Sequence, residues 1–483
     1  MSRARGEDTR GVTRAGAAAP ARERAWLVAA ALVAAAALLA RLHNAFAYPP
    51  LHDYDAAGHA LNVFALYQGR LPDPHSWSGF HPPLYYALGA LLWHALPEAI
   101  PVHAALRLLS AAAGFGAIAL AWRALRRVVS PTDAAVVATL VLCAPVVAIA
   151  TSMLGNETSC ALFTTAALAR TMAIPDDPRA ARRHGTITAL VATLAALSKS
   201  TGLVALAVVG LAYAWQLRRA GVSFAVRALL AALAALSKST GLVALGVVGL
   251  AYAWRLRRAG VSFAMRAMLA MGGVALVLVL PQYGRLAIET RSPLGVISGG
   301  QLADQAGNEM SVQPPGERHL ADYVSFPVAA LVAPSKDAPG MVQSVPGPLY
   351  AGTWADAQGA FLPTQVSVVR DAAAGAALLG LVPTLLAIAG LVRILRRREL
   401  RAVAATPLVF AALLFAAFLA QTWVVPRYTA VKASYLLSAL LPAALALAVG
   451  VAEASGRWRT LWRAALLATA AYMTFLTWYG WWT

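Results

Sequence analysis

Two aspartates separated by one residue, Asp53 and Asp55 in the segment PPLHDYDAAGHAL, are the leading candidates for chemistry in this chain. Carboxylates this close can divide labour, one taking a proton from an attacking hydroxyl while the other orients it, or they can offer oxygen ligands to a divalent cation. His59 stands four residues after Asp55, on the same face if a helix begins beyond Tyr54. The bland alternative is a helix N-cap or a solvated loop. Against it, the pair shares a short stretch with His52 and the cluster His81-Pro82-Pro83-Leu84-Tyr85-Tyr86, in a chain with only 21 acidic residues. Four cations at the ends of apolar runs, Lys199, Lys238, Arg427 and Lys432, are anchors that snorkel to the interface or contacts for a lipid phosphate.

The elements that must position these groups are membrane helices. Of 483 residues 59% are hydrophobic and 13% charged, against roughly 45–50% and about 25% in soluble domains. That excludes an ordinary soluble enzyme and predicts an all-α integral membrane protein, its apolar runs long enough to cross a core of about 30 Å. The net charge of +19 sits mostly as arginine between those runs, where it sets topology and meets anionic lipid rather than nucleic acid. Cys143 and Cys160 offer no disulfide framework and no metal-ligand spacing.

Residues 1–24 read as a basic cytoplasmic tail leading into an uncleaved first span that ends near Leu42. The first outer loop is 43–103, and Pro82–Leu96 is predicted to lie on the outer surface, because crossing would export Arg123, Arg126 and Arg127. Further spans are expected near 104–122, 133–152, 157–174, 186–198, 201–215, 224–237, 240–254, 264–281, 372–395, 405–425, 433–452 and 462–480. The expected architecture is a polytopic bundle of about 13 transmembrane helices: a membrane domain over 25–281, an extracytoplasmic loop over 282–371, and C-terminal helices over 372–483 ending outside. Residues 194–231 recur at 233–270, beginning LAALSKSTGLVAL in both copies. Each unit holds two short helices and one arginine pair, so it preserves the orientation of everything downstream and reads as a neutral insertion.

At this point the chain resembles the polytopic C-type glycosyltransferases, in the branch with bacterial protein O-mannosyltransferases and aminoarabinose transferases. The resemblance rests on an ordered set: Asp55 to His59 after the first span, GRLP, HPPLYY, Asn156-Glu157 opening a helix, Lys199 to Leu203, LYAGTW (Leu349 to Trp354), and Lys432 to Leu437. It extends over roughly 25–455. Many members have Asp-Glu where this chain has Asp55-Ala56, so Asp53 supplies any second carboxylate. The resemblance implies a sugar donor on a polyprenyl phosphate, an extracytoplasmic acceptor, a site on the outer face of the inner or plasma membrane, and inversion by single displacement.

A donor held in the bilayer needs no dinucleotide fold, and no G-x-G-x-x-G opens a strand–helix unit here. Asp55 is the first choice for the base that takes the acceptor proton and Asp53 the second. His81, Arg427, Lys432 and Lys199 are candidates for the leaving phosphate, with His59, Asn156, Glu157, Tyr85 and Trp354 for acceptor or substrate. No obligatory metal or cofactor is expected, although the aspartate pair could hold a divalent cation. Two rival classes are a secondary transporter, which would place its charges in broken helices near mid-bilayer, and a noncatalytic lipid-binding scaffold.

Overall fold

The computed structural model describes residues 15–76, 78–97, 99–174, 178–219, 281–289, 316–359, 361–362 and 366–479. Among these residues the chain is helix, turn and loop, with no strand. In order the helices are α1 (Ala15–Ala47), α2 (Ala56–Tyr67), α3 (Leu84–Ala95), α4 (Val102–Leu125), α5 (Pro131–Cys143), α6 (Pro145–Ala150), α7 (Glu157–Thr171), α8 (Pro178–Ser198) and α9 (Gly202–Arg219). They continue as α10 (281–289), α11 (Ala329–Val332), α12 (Pro346–Trp354), α13 (Ser367–Leu379), α14 (Leu381–Arg396), α15 (Arg398–Val424), α16 (Leu440–Ala452) and α17 (Gly456–Tyr479).

Five stretches among the described residues are long and apolar enough to cross a membrane: Ala21–Ala47, Val102–Leu125, Ser367–Arg396, Arg398–Val424 and Tyr428–Ala452. Pro131–Cys143 and Gly202–Tyr213 are shorter apolar helices. The expected thirteen spans go beyond this count, and those between 224 and 280, with Lys238 and the second repeat copy, lie outside the described residues. Helix α3 has 12 residues, so it rises about 18 Å and is too short for a hydrocarbon core of about 30 Å.

Several single spans of the sequence reading are built in two pieces. Pro145 lacks an amide hydrogen and closes α5 at Cys143, with α6 beginning at the proline itself. The run after Lys432 starts as a 3-10 helix, Ala433–Ala439, before α16 takes over. The join at Gly380 separates α13 from α14. Helices α14 and α16 cross closely, since a Cβ at Gly390 would collide with the Ala446 carbonyl and one at Gly450 with that of Leu386.

The core runs through α1, α4, α5, α7, α16 and α17, built largely from alanine, valine and leucine. At the end of the bundle carrying Ser130, Arg463 donates to Asp133 at 2.8 Å and to Glu23 at 2.7 Å, and Arg459 also pairs with Asp133. This cluster ties α1, α5 and α17 together. At the other end, α1 stops before Tyr48-Pro49-Pro50, because the first proline disfavours helix at the residue before it. The chain there enters the loop that carries the aspartates.

Candidate active site

Helix α2 starts immediately after Asp55, but the Asp55 side chain makes no capping hydrogen bond. The bland explanation of this residue as an N-cap therefore does not hold. Both carboxylate oxygens instead accept from Lys432, at 3.1 Å and 2.9 Å, joining residues far apart in the chain. Lys432 is 7% exposed and sits over the rings of Tyr54, at 5.3 Å, and Tyr435, at 5.8 Å.

Asp53 is used differently. Its Oδ1 accepts the Asp55 amide at 2.8 Å and its Oδ2 the Leu154 amide at 2.9 Å, so it braces the loop against the turn before α7. Burial pushes its pKa up to about 7 although the two amides favour the carboxylate. Burial also raises Asp55, but the Lys432 ammonium outweighs it and holds that carboxyl below the usual aspartate range. The two aspartates are thus set apart: one stays ionised against a cation, the other titrates near neutrality.

A second ion pair lies alongside. Glu157, the first residue of α7, accepts a hydrogen bond from Lys199, which follows α8. Both are buried, and Lys199 also lies over the Tyr435 ring at 4.8 Å. Both ammonium groups thus lie at the Tyr435 ring. Beside Glu157, His59 has its Nδ1 2.7 Å from the Tyr86 hydroxyl, stacks on His81 at 5.5 Å and meets the edge of Tyr85 at 6.4 Å. Burial lowers the pKa of both histidines, to about 3 for His81, so both are neutral at pH 7. His81 Nδ1, Glu157 Oε2 and both amide atoms of Asn156 are buried without a partner.

Local sequence explains the placement. Asn62 donates to the Ser78 carbonyl at 2.8 Å and Ser78 to the Gly58 carbonyl at 3.1 Å, fastening the segment before His81 to α2. Pro83 then precedes α3, which presents Tyr85 and Tyr86 inward. From α10, Gln282 and Arg285 reach the carbonyls of His81 and Pro72, at 3.4 Å and 2.9 Å. The loop before α13 docks on the same site: Tyr54 donates to Asp356, whose other oxygen accepts the amides of Phe361 and Leu362 at 2.6 Å and 3.0 Å.

Of the residues singled out in the sequence, Asp53, Asp55, His59, His81, Tyr85, Glu157, Lys199 and Lys432 come together, with Asn156 at the start of α7. Trp354 does not join them; its indole donates to Thr384 at 3.0 Å and packs on Gly380, against α14. Arg427 lies at the Arg318 side, its carbonyl accepting from that guanidinium at 3.3 Å. Tyr435, Tyr86 and Arg107 also lie at these groups; of them the sequence reading named Tyr86 only within its motif and gave none a role. Arg107 carried a visible signal, a charge inside an apolar helix; the tyrosines carried none apart from their motifs. Among the described residues no group of three or more His, Cys, Asp or Glu is placed to hold a metal ion.

No family model matches the chain, and no curated protein matches it. Similar solved structures include ArnT from Cupriavidus metallidurans bound to undecaprenyl phosphate, at 16% identity and a TM-score of 0.48 over 93% of this chain and 75% of that one. The apo state of that protein gives 15%, 0.47, 93% and 75%. The archaeal oligosaccharyltransferase AglB from Archaeoglobus fulgidus, in complex with an inhibitory peptide and a dolichol-phosphate, is 14% identical at a TM-score of 0.49, over 94% of this chain and 55% of that one.

Proposed function

We propose that the chain is a membrane glycosyltransferase that moves a sugar from a polyprenyl-phosphate donor to an extracytoplasmic acceptor, with inversion and without an obligatory metal. The observation that carries this reading is the buried Asp55–Lys432 pair beside Glu157–Lys199, at the end of a membrane bundle. A base and a phosphate-binding cation are held in contact with each other before either substrate arrives.

In the proposed reaction the acceptor hydroxyl gives its proton to Asp55 while its oxygen attacks the anomeric carbon. The bond from that carbon to the phosphate oxygen breaks through an oxocarbenium-like state, and the electron pair leaves with the phosphate. Lys432, with Lys199 at the same Tyr435 ring, meets the charge that builds on the phosphate. The resting pair gives the sequence of events a logic. Donor phosphate competes with Asp55 for Lys432, and as the ammonium turns to the phosphate the carboxylate loses the partner that suppresses its basicity. Asp53 orients the loop, and His59, His81, Asn156 and Tyr85 offer neutral hydrogen-bonding groups to the sugar and acceptor. We place the site on the outer face of the inner or plasma membrane, with the N-terminus cytoplasmic.

The test is a transfer assay in nanodiscs with a panel of polyprenyl-phosphate sugars. Consumption of one donor, with a loss in Asp55→Asn that persists when the rate is normalised to folded protein, supports the reading; folded wild-type protein that consumes none overturns it.

A further inference from the structure

Arg107 is buried at 0% exposure within α4, and the ion pairs among the described residues do not include it. A buried guanidinium without a carboxylate is costly unless its donors are satisfied in another way. Here backbone carbonyls serve both Nη groups, while Nε is buried without a partner. Nη1 donates to the Tyr48 carbonyl at 2.8 Å, and Nη2 to that of Pro49 at 2.6 Å, with those of Pro50 and His52 at 3.4 Å and 3.5 Å. The Tyr48 ring lies 5.7 Å from the guanidinium carbon.

These carbonyls belong to the segment that joins α1 to Asp53. Pro49 and Pro50 have no amide hydrogen; His52 closes a turn on the Pro49 carbonyl at 3.0 Å, and Arg107 joins it at that carbonyl and supplies a donor to the Tyr48 carbonyl before it. A planar fork fixed in a helix presents its donors to several carbonyls in a set geometry, whereas an ammonium on a flexible stem must be ordered to do so. Directly after the fastened segment, Asp53 accepts the amides of Asp55 and Leu154. The guanidinium and the Asp53 carboxylate thus pin the loop at its two ends, and Asp55 follows.

We propose that Arg107 is a positioning residue, fastening the backbone of residues 48–52 so that Asp53 and Asp55 are presented at fixed places. The part about catalysis rests on the reading of the aspartate pair given above.

The experiment compares wild type, Arg107→Gln and Arg107→Lys as full chains in nanodiscs, by steady-state transfer and by amide hydrogen exchange. A misplacement of about 1 Å can cost about 10²-fold, so kcat should fall by about 10–10²-fold in both variants while the donor KM stays within about twofold. Exchange should accelerate at the Asp55 and Leu154 amides and stay unchanged in α5. Wild-type kcat in folded Arg107→Gln, a matching loss of donor affinity, or exchange raised equally throughout the bundle would each overturn the proposal. Should Arg107→Gln fail to fold, Arg107→Lys retains the charge and stem and carries the same test. If wild type transfers no sugar, the function proposed above falls, while the exchange readout still decides whether Arg107 braces the loop.

Discussion

Replacing Asp55 with asparagine separates catalysis from structure, because the residue has both a proton to take and a cation to neutralise. The substitution keeps size and one acceptor but removes the charge opposite Lys432, which touches both carboxylate oxygens within 3.1 Å and is buried. Removing one member of a buried pair costs about 3–5 kcal/mol of stability. Losing a positioned base costs about 10²–10⁴ in rate, or about 3–5 kcal/mol of barrier. The two effects are of one size, so a dead Asp55→Asn enzyme alone proves nothing. The decisive protein is Asp55→Asn with Lys432→Met, in which no charge is left unpaired. Its melting temperature, followed by tryptophan fluorescence in detergent, should recover most of the loss seen in either single variant. Its single-turnover transfer rate, normalised to folded protein, should stay down by at least about 10². Donor binding should suffer in Lys432→Met and hardly change in Asp55→Asn, whose missing interaction belongs to the acceptor proton. Recovery of transfer in the double variant, or a wild-type rate in Asp55→Asn and Asp53→Asn alike, would return this motif to a structural ion pair.

Asp53 has its pKa raised from 3.8 to about 7 in the folded protein, so its contribution to stability is present at low pH and is lost as pH rises through about 7; Asp53→Asn should flatten thermal stability between pH 4 and 8, and an unchanged profile would contradict the burial argument. Deleting residues 194–232 brings the second LAALSKSTG directly behind Thr193, so Lys238 should take the place of Lys199 opposite Glu157 and transfer should persist; loss of transfer that Lys238→Met cannot worsen would refute this. Cysteine labelling should reach Gly69 and Gly316 from outside and Arg126, Arg182 and Arg397 from the cytoplasm, and cytoplasmic labelling at Ala99 would mean that Pro82–Leu96 crosses.

Much of the architecture was legible because it is written locally. Apolar runs of about 20 residues satisfy their backbone in lipid as helices, and Pro82-Pro83 with a short apolar stretch was enough to mark α3 as a short helix. The same local signals led to one helix where there are two at Pro145, since hydropathy is blind to a missing amide hydrogen inside an apolar run. Asp53, Asp55, His59 and His81 were visible as candidates because polar residues in a chain this apolar need a reason.

What each candidate does was not local. Asp55 meets Lys432 and Glu157 meets Lys199 only when α2, α7, α8 and the segment before α16 pack around Tyr435, and no spacing along the chain encodes that choice of partners. Hydropathy distinguished membrane from water, because that depends on transfer energies of single residues and helices. Packing decided which carboxylate faces a cation and stays ionised, which one braces a turn and titrates near pH 7, and why Trp354 packs away from them. In a low-dielectric interior a charge's behaviour is set by the nearest few ångströms, and those neighbours come from distant parts of the chain.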